Sequence, residues 1–275
     1  MADDQNLTTW ENAEVERSAR EASETRLEQL HVAPREIARY LNPAADTCFP
    51  LEYSYYLLHD VRGKVVLDYG CGSGENTILL ANRGARVLAM DLSESLIRLA
   101  QNRLKINSIA GNVRFLTGSA HNIPLQDESV DVVFGIAILH HLDLALASPE
   151  VHRVLRTDGR AIFQEPIRNS GLIRAIRKLI PYVRADVSPY EEPLTDRELT
   201  NFGRNFVILR GKAFYLPLTR LAQKLPIPRK IVHRLLRTDT RALNCFPSLM
   251  YYAGIKVFEL AKTDTKSIHS AVATT

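Results

Sequence analysis

A glycine-rich turn between a strand pattern and a helix pattern constrains the fold of this chain more than any other feature. The apolar run Val65-Val66-Leu67 predicts a buried strand, and a helical apolar pattern begins at Thr77. Between them stand Gly70, Gly72 and Gly74, which lack a Cβ and allow a sharp turn close to a ligand. Open α/β sheets bind nucleotide-like molecules at such turns, beside the N–H groups of a helix N-terminus. We therefore expect an α/β fold with a ligand site here.

The third glycine comes too early for a dinucleotide-binding turn. The pattern G-x-G-x-x-G would require a glycine at Glu75, which disfavours a nicotinamide-dependent dehydrogenase. Asp68 with the spacing Gly70-x-Gly72-x-Gly74 instead resembles motif I of the class I S-adenosylmethionine-dependent methyltransferases. The resemblance implies S-adenosyl-L-methionine as cofactor and S-adenosyl-L-homocysteine as product. The cofactor residues that it implies at this turn are Asp68, Gly70, Cys71, Gly72 and Gly74.

A carboxylate at the end of the next predicted strand favours ribose binding. The strand pattern from Val87 to Met90 is followed by Asp91, 21 residues after Gly70. This is close to the ~20 residues that separate a glycine turn from a ribose-binding acid. We therefore expect Asp91 to accept hydrogen bonds from the ribose hydroxyls, with Leu92 beside it. Its alternative role is to cap a helix, because Ser93 and a helical pattern follow directly.

Two further loops complete the cofactor side of the resemblance. A strand pattern at 113–117 leads into Ser119, Ala120 and His121, where similar methyltransferases often have Gly-Asp-Ala and place the acid against the adenine edge. Ser119 can donate a hydrogen bond but carries no charge, and His121 is alternatively an exposed loop histidine. The fourth strand pattern leads into Ile136, the last cofactor residue that we predict.

Two histidines and one glutamate are the candidates for acid–base chemistry. His140 and His141 follow the fourth strand pattern, in a segment that passes beside the sulfonium end of the cofactor in similar enzymes. Histidine titrates near neutrality, which suits a general base for a hydroxyl acceptor. Glu165 ends the fifth strand pattern and is expected to contact the cofactor end of the pocket or the acceptor. The alternatives are packing or helix capping for the histidines and a structural hydrogen bond for Glu165.

The order of the patterns predicts a three-layer α/β fold, a Rossmann-like methyltransferase sheet of seven strands with a helical cap and insertions. Strand patterns at 205–209 and 252–260 supply the last two strands, and the family inserts the final one antiparallel between the fifth and sixth. The predicted parts are an N-terminal helical arm and cap (1–60, with 34–60 closing over the cofactor), the methyltransferase domain (61–262), helical insertions at about 167–204 and 215–247, and a flexible tail (263–275).

The acceptor side is much less explicit. Tyr53 and Tyr56 of the cap and Tyr190 and Glu191 of the first insertion are substrate candidates, although the tyrosines alternatively pack against the sheet edge. We expect methyl transfer to an oxygen or nitrogen of a small-molecule acceptor. The alternatives are a non-catalytic binding module that keeps the fold, and a methyltransferase for a lipid-like acceptor. Three scattered cysteines predict no metal site.

Charge distribution bears on partners and location. The formal net charge is +4, but residues 171–241 hold fifteen bases and six acids. The leucines and cations at 215–237 suit either an anionic membrane surface or an amphipathic helix pair that covers the core. No nucleic-acid partner is expected, because no binding module accompanies the charge. An acidic N-terminus and few cysteines predict a cytoplasmic protein, with the membrane-peripheral alternative left open by 215–237.

Overall fold

A seven-stranded sheet forms the centre of the computed structural model, which describes residues 2–109, 111–171, 193–223 and 225–262. The spatial order of the strands is β3-β2-β1-β4-β5-β7-β6. The strands are β1 Val65–Tyr69, β2 Arg86–Asp91, β3 Val113–Thr117, β4 Val130–Ile136, β5 Leu155–Pro166, β6 Val207–Phe214 and β7 Ile255–Ala261. The first five are parallel, and β7 lies antiparallel between β5 and β6. The predicted fold class is confirmed.

Helices cover both faces of the sheet. They are α1 Ala2–Glu24, α2 Pro34–Leu41, α3 Pro50–Leu57, α4 Glu75–Asn82, α5 Glu94–Ile106, α6 Leu144–Val154, α7 Asp196–Phe202, α8 Pro217–Ala222 and α9 Arg229–Cys245, with short 3₁₀ helices at Leu27–Leu30, Leu139–His141, Gly203–Asn205 and Pro247–Tyr252. Two apolar clusters, one on each face, bury side chains such as Phe163 and Phe134 completely. None of the described helices is long and apolar enough to cross a membrane.

The strand register shows which loops share an edge. The parallel strands β1 to β4 place their carboxyl ends together. Ile255 at the start of β7 pairs with Pro166 at the end of β5 and with Phe214 at the end of β6. The insertion between β6 and β7, residues 215–254, therefore leaves the sheet at the same edge as the glycine turn.

The sixth strand differs from its prediction. The apolar pattern at 205–209 predicted its position, but Asn205 ends a 3₁₀ helix and the strand runs from Val207 to Phe214. Its first half is an exposed edge, with Ile208 57% exposed. Pairing with β7 rather than an apolar run defines the strand, so the pattern located only its beginning.

Candidate functional site

A cavity of about 230 Å³ lies at the carboxyl ends of β1 to β4, beneath α1. Loops that follow four different strands meet there, as expected for a ligand site in an open α/β sheet. The residues that line it are Trp10, Glu11, Glu14, Arg17, Ser18, Glu21, Gly70, Gly72, Met90, Asp91, Leu92, Leu96, Gly118, Ala120, His121, Ala137, Ile138, His141 and Leu142. The described residues hold no group of three or more His, Cys, Asp or Glu arranged to bind a metal ion.

Two glycines of the turn have different physical roles. Gly72 has a φ of +52°, and a Cβ on it would meet no atom within 4 Å, so a side chain would project into open space beside the cavity. Gly74 has a φ of +84° and precedes α4; its Cβ would lie 2.8 Å from that of Ala100. Gly72 therefore leaves room for a ligand, whereas Gly74 allows α4 and α5 to pack closely.

Asp91 lies on the cavity wall, where β2 ends. Its Oδ2 accepts a hydrogen bond from the Gly72 N–H at 2.9 Å, and its Oδ1 accepts one from the Ser93 N–H at 2.9 Å. Burial raises the pKa of this carboxyl above its ordinary value, although both N–H bonds oppose that shift. The cap of α5 is Ser93, whose hydroxyl accepts from the Leu96 N–H at 3.4 Å. Asp91 is thus placed at the cavity rather than at the helix terminus.

Several residues that we predicted as cofactor contacts do not line the cavity, namely Asp68, Cys71, Gly74 and Ser119. Asp68 is 2% exposed and accepts a hydrogen bond from the Thr77 hydroxyl at 2.5 Å, which joins β1 to α4. Burial raises its pKa to about 7. Cys71 is also buried, and burial raises the pKa of its thiol well above the ordinary value. Both side chains support the turn from beneath.

The loop after β3 is joined to α1 by Glu11. Its Oε1 accepts hydrogen bonds from the Ser119 hydroxyl and, at 3.0 Å, from His121 Nδ1. His121 Nε2 accepts from the Asp143 N–H at 3.0 Å, which assigns the ring proton to Nδ1. The His121 side chain is only 4% exposed, so the exposed-loop alternative was wrong. Glu11 thus brings a carboxylate to Ser119, the position where the resemblance expects an acid.

The loop after β3 is further fixed by Tyr69, whose hydroxyl donates to the Ala120 carbonyl at 2.7 Å. The loop after β4 begins with Ala137, which has a φ of +56° and donates its N–H to the Gln164 carbonyl at 2.8 Å. Ala137 and Ile138 line the cavity, whereas the predicted Ile136 does not. The strand therefore continues through Ile136, and the contacts begin one residue later.

Glu165 and His140 form a buried pair next to the cavity. Glu165 is fully buried; its Oε1 accepts from the Ile138 and Leu139 N–H groups at 2.9 and 2.8 Å, and its Oε2 lies 2.8 Å from His140 Nδ1. The His140 and His141 rings are 4.1 Å apart between centroids. Of the three predicted catalytic residues, only His141 lines the cavity, with its Nδ1 3.5 Å from Glu14 Oε2. The other two hold its loop in place.

The predicted substrate tyrosines lie elsewhere. Tyr53 stacks on Tyr56 with 5.8 Å between ring centroids and packs against Phe214 of β6. Tyr56 lines a separate cavity of about 470 Å³, with His59 and Arg83. No residue of 34–60 lines the cavity under α1, so the prediction that this segment closes over the site differs from the structure. The apolar residues of α3 pack on the sheet instead. Tyr190 and Glu191 lie outside the described residues.

The sequence prediction missed the contribution of α1. Trp10 and a row of polar residues spaced three or four apart on one helix face reach the cavity: Glu11, Glu14, Ser18 and Glu21. Ser18 is only 5% exposed. The guanidinium of Arg17 forms ion pairs with Glu14 Oε2 at 3.1 Å and with Glu21 Oε2 at 3.7 Å. The spacing of polar residues around a lone tryptophan was the available signal. Such a pattern is more typical of a solvated helix face, so the sequence did not indicate a ligand site.

Comparison with known proteins agrees with this geometry. Residues 67–163 match a family model described as a methyltransferase domain. The chain is 33% identical over 116 residues to the O-methyltransferase rstn1 of Aspergillus nomiae, covering 42% of this chain and 52% of that protein. It is 34% identical over 110 residues to the ubiquinone/menaquinone biosynthesis C-methyltransferase UbiE of Azotobacter vinelandii, covering 38% and 43%. The chain thus spans about half the length of the curated relatives it matches.

The fold is also similar to that of solved methyltransferase structures. Geranyl diphosphate C-methyltransferase from Streptomyces coelicolor, solved with S-adenosyl-L-homocysteine, superposes with a TM-score of 0.55 at 16% identity, covering 76% of this chain and 78% of that one. At that identity the likeness shows the fold alone. The strand order and the matched methyltransferase domain agree with this fold. The chain thus contains a methyltransferase domain at residues 67–163 and is similar to the class I S-adenosylmethionine-dependent methyltransferases.

Proposed function

We propose that this chain binds S-adenosyl-L-methionine in the cavity under α1 and transfers its methyl group to an oxygen or nitrogen of a small-molecule acceptor. The observation that carries the proposal is that Gly72, Asp91, Ala120 and His141, from four separate loops, line one cavity. The open space beside Gly72 supports the fit, because a ligand can approach the backbone there without a side chain in its way. The Asp91 carboxylate is the group assigned to the ribose hydroxyls.

The residues of this chain act by position and by proton transfer. When bound, the cofactor supplies an electrophilic methyl group on a sulfonium sulfur and leaves as S-adenosyl-L-homocysteine. An acceptor hydroxyl would lose its proton to the imidazole of His141 as its oxygen forms the bond to the methyl carbon. Glu14, 3.5 Å from His141 Nδ1, supports the positive charge that this transfer creates. Glu165 and His140 are positioning residues, because they hold the loop that carries His141.

Cofactor binding and methyl transfer call for separate measurements. Isothermal titration with S-adenosyl-L-homocysteine tests the cavity, and absence of binding would contradict the cofactor assignment. A labelled-methyl assay against water-soluble and organic-soluble cell extracts then tests transfer. Binding without any labelled product would favour the non-catalytic binding module. His141→Gln is expected to lower transfer about 10²- to 10⁴-fold while leaving binding of the product little changed.

A lipid-like acceptor is the second candidate. The insertion between β6 and β7 leaves the sheet at the edge that holds the cavity, and it carries exposed apolar residues. Relatives named for ubiquinone and menaquinone biosynthesis are compatible with such an acceptor. Recovery of the labelled methyl group in the organic-soluble fraction would favour this class, and recovery in the aqueous fraction would oppose it.

A further inference from the structure

The insertion between β6 and β7 carries apolar side chains that face solvent. In α8 and the turn after it, Leu218, Leu221 and Leu225 are 69%, 55% and 49% exposed, and Ile231 at the start of α9 is 46% exposed. Leu218 and Leu221, three residues apart, lie on one face of α8, and Leu225 follows in the turn after the helix. We call these four residues the leucine surface. They cannot be accounted for as core residues, because the core contacts of the insertion lie elsewhere.

Those core contacts are made by the opposite side of α9. Leu236 and Leu243 are each 2% exposed, and Asp239 accepts a hydrogen bond from the Leu216 N–H at 2.8 Å, which ties the start of α8 to α9. Thr219 and Ala222 are the buried residues of α8. The insertion is therefore an amphipathic helix pair that covers the core, as one reading of the sequence predicted. Covering the core leaves the leucine surface without a partner among the described residues.

The charge of the same segment is entirely positive. Residues 215–237 contain six Lys and Arg residues and no Asp or Glu. Arg229, Lys230, Arg234 and Arg237 of α9 are exposed. Exposed aromatic residues follow in the same insertion, with Phe246 62%, Tyr251 49% and Tyr252 43% exposed. Exposed leucines, exposed cations and exposed aromatic residues in one segment are the composition of helices that lie in the interface of an anionic bilayer.

We propose that α8 and the start of α9 dock this protein on an anionic membrane surface, with the leucine surface inserted among the lipid headgroups. Charge complementarity selects the occupant: an anionic bilayer offers many negative charges to a segment that has no acid of its own. The insertion emerges at the sheet edge that holds the cavity, so docking would bring that edge toward the membrane. The proposal does not depend on cofactor binding and extends beyond the proposed function.

Co-sedimentation with vesicles tests the docking. We expect the wild type to sediment with phosphatidylcholine vesicles that contain about one-third phosphatidylglycerol, and to bind vesicles of phosphatidylcholine alone far more weakly. Leu218→Ser/Leu221→Ser keeps the charge and should weaken partitioning roughly tenfold or more, because two inserted leucines are lost. Arg229→Ser/Lys230→Ser keeps the leucines and should weaken it severalfold at low salt. Leu27→Ser, at a residue 60% exposed outside the insertion, is the matched control and should bind normally.

Three outcomes would overturn the proposal. They are no sedimentation of the wild type with either vesicle, wild-type binding by Leu218→Ser/Leu221→Ser, and a concentration-dependent dimer in the absence of lipid that this variant abolishes. The last result would assign the leucine surface to a second copy of the chain. Titration of the same variants with S-adenosyl-L-homocysteine should match the wild type, because the substituted residues lie outside the cavity. Failure of docking and failure of cofactor binding are therefore distinguishable.

Discussion

The two sides of the cavity are built in different ways. The floor consists of the loops after β1 to β4, where backbone groups and short side chains such as Gly72, Asp91 and Ala120 face the space. The roof is α1, where the long polar side chains of Glu11 and Glu14 reach down to His121 and His141. Local turn geometry fixes the floor, whereas contacts between residues more than 100 positions apart fix the roof. The loops thus form the floor by themselves, whereas α1 reaches the loops after β3 and β4 through polar contacts of Glu11 and Glu14 and also packs on α5.

The sharpest test of the floor is a side chain at Gly72. Gly72→Val should abolish measurable binding of S-adenosyl-L-homocysteine, a loss of at least about a hundredfold, because the new side chain fills the space that the glycine leaves open. Isothermal titration measures the effect. Gly74→Ala is the matched control: its Cβ would crowd Ala100 at 2.8 Å, so it should lower the thermal unfolding midpoint more than the affinity. Normal binding by Gly72→Val would contradict the assignment of the glycine turn to the cofactor site.

Asp91 is the second test of the floor. Asp91→Ala should weaken cofactor binding by about 1.5–3 kcal/mol, because hydrogen bonds from ribose hydroxyls to a charged group are lost. The Ser93 cap of α5 remains in this variant, so far-ultraviolet circular dichroism should show an intact helix. Titration of the variant measures the affinity. An affinity equal to that of the wild type would assign Asp91 to holding the Gly72 turn and would contradict ribose binding.

The buried carboxyl group of Asp68, beneath the floor, makes the stability of the protein dependent on pH. Its folded pKa of about 7 lies above the ordinary value of 3.8, so the folded protein keeps a proton that the unfolded chain has lost. The contribution of this group to stability is therefore greatest below pH 4 and is lost as the pH rises through 7. Asp68→Asn keeps an acceptor for the Thr77 hydroxyl and avoids the buried charge. Between pH 4 and pH 8 the free energy of unfolding of Asp68→Asn should therefore decrease less than that of the wild type. The difference between the two decreases should be at least about 1 kcal/mol.

Urea unfolding of both proteins across that pH range measures the difference. Asp60→Asn is a suitable control, since Asp60 is an exposed carboxylate paired with Arg62, which lowers its pKa to about 2. Parallel pH profiles for the wild type and Asp68→Asn would contradict a raised pKa for Asp68.

The floor and the roof also differ in how far the sequence predicts them. Glycine spacing, the acid at the end of β2 and the residues after β3 and β4 pointed to Gly72, Asp91, Ala120 and His141, which the structure brings to one cavity. The same motif placed Asp68 there, although it is buried beneath the turn, because a linear pattern does not tell which side of a strand faces a ligand. Local patterns specify turns and strand ends; they do not specify which distant helix packs across them.

No sequence motif predicted that helix α1 lies over the cavity. Its row of polar residues has the composition of a solvated helix, and only tertiary placement over the loops turns it toward the cavity. Tyr53 and Tyr56 show the converse, since aromatic residues close to the core domain in sequence suggested a cap, yet Tyr53 packs on the edge of the sheet. Helix α3 packs on the sheet through apolar residues, whereas α1 meets the loop after β3 through polar pairs.

The roof can be tested through Glu11 with a probe already in the chain. Trp10 is the sole tryptophan and lines the cavity beside Glu11, so its fluorescence should respond to S-adenosyl-L-homocysteine. Glu11→Ala removes the acceptor shared by Ser119 and His121 and should raise the rate of cofactor dissociation about three- to tenfold, as expected for the loss of roughly 1 kcal/mol of hydrogen bonding. Stopped-flow displacement measures that rate. Glu16→Ala, at an exposed position of the same helix, should leave it unchanged. Equal rates for Glu11→Ala and the wild type would mean that α1 lies over the cavity without holding its contents.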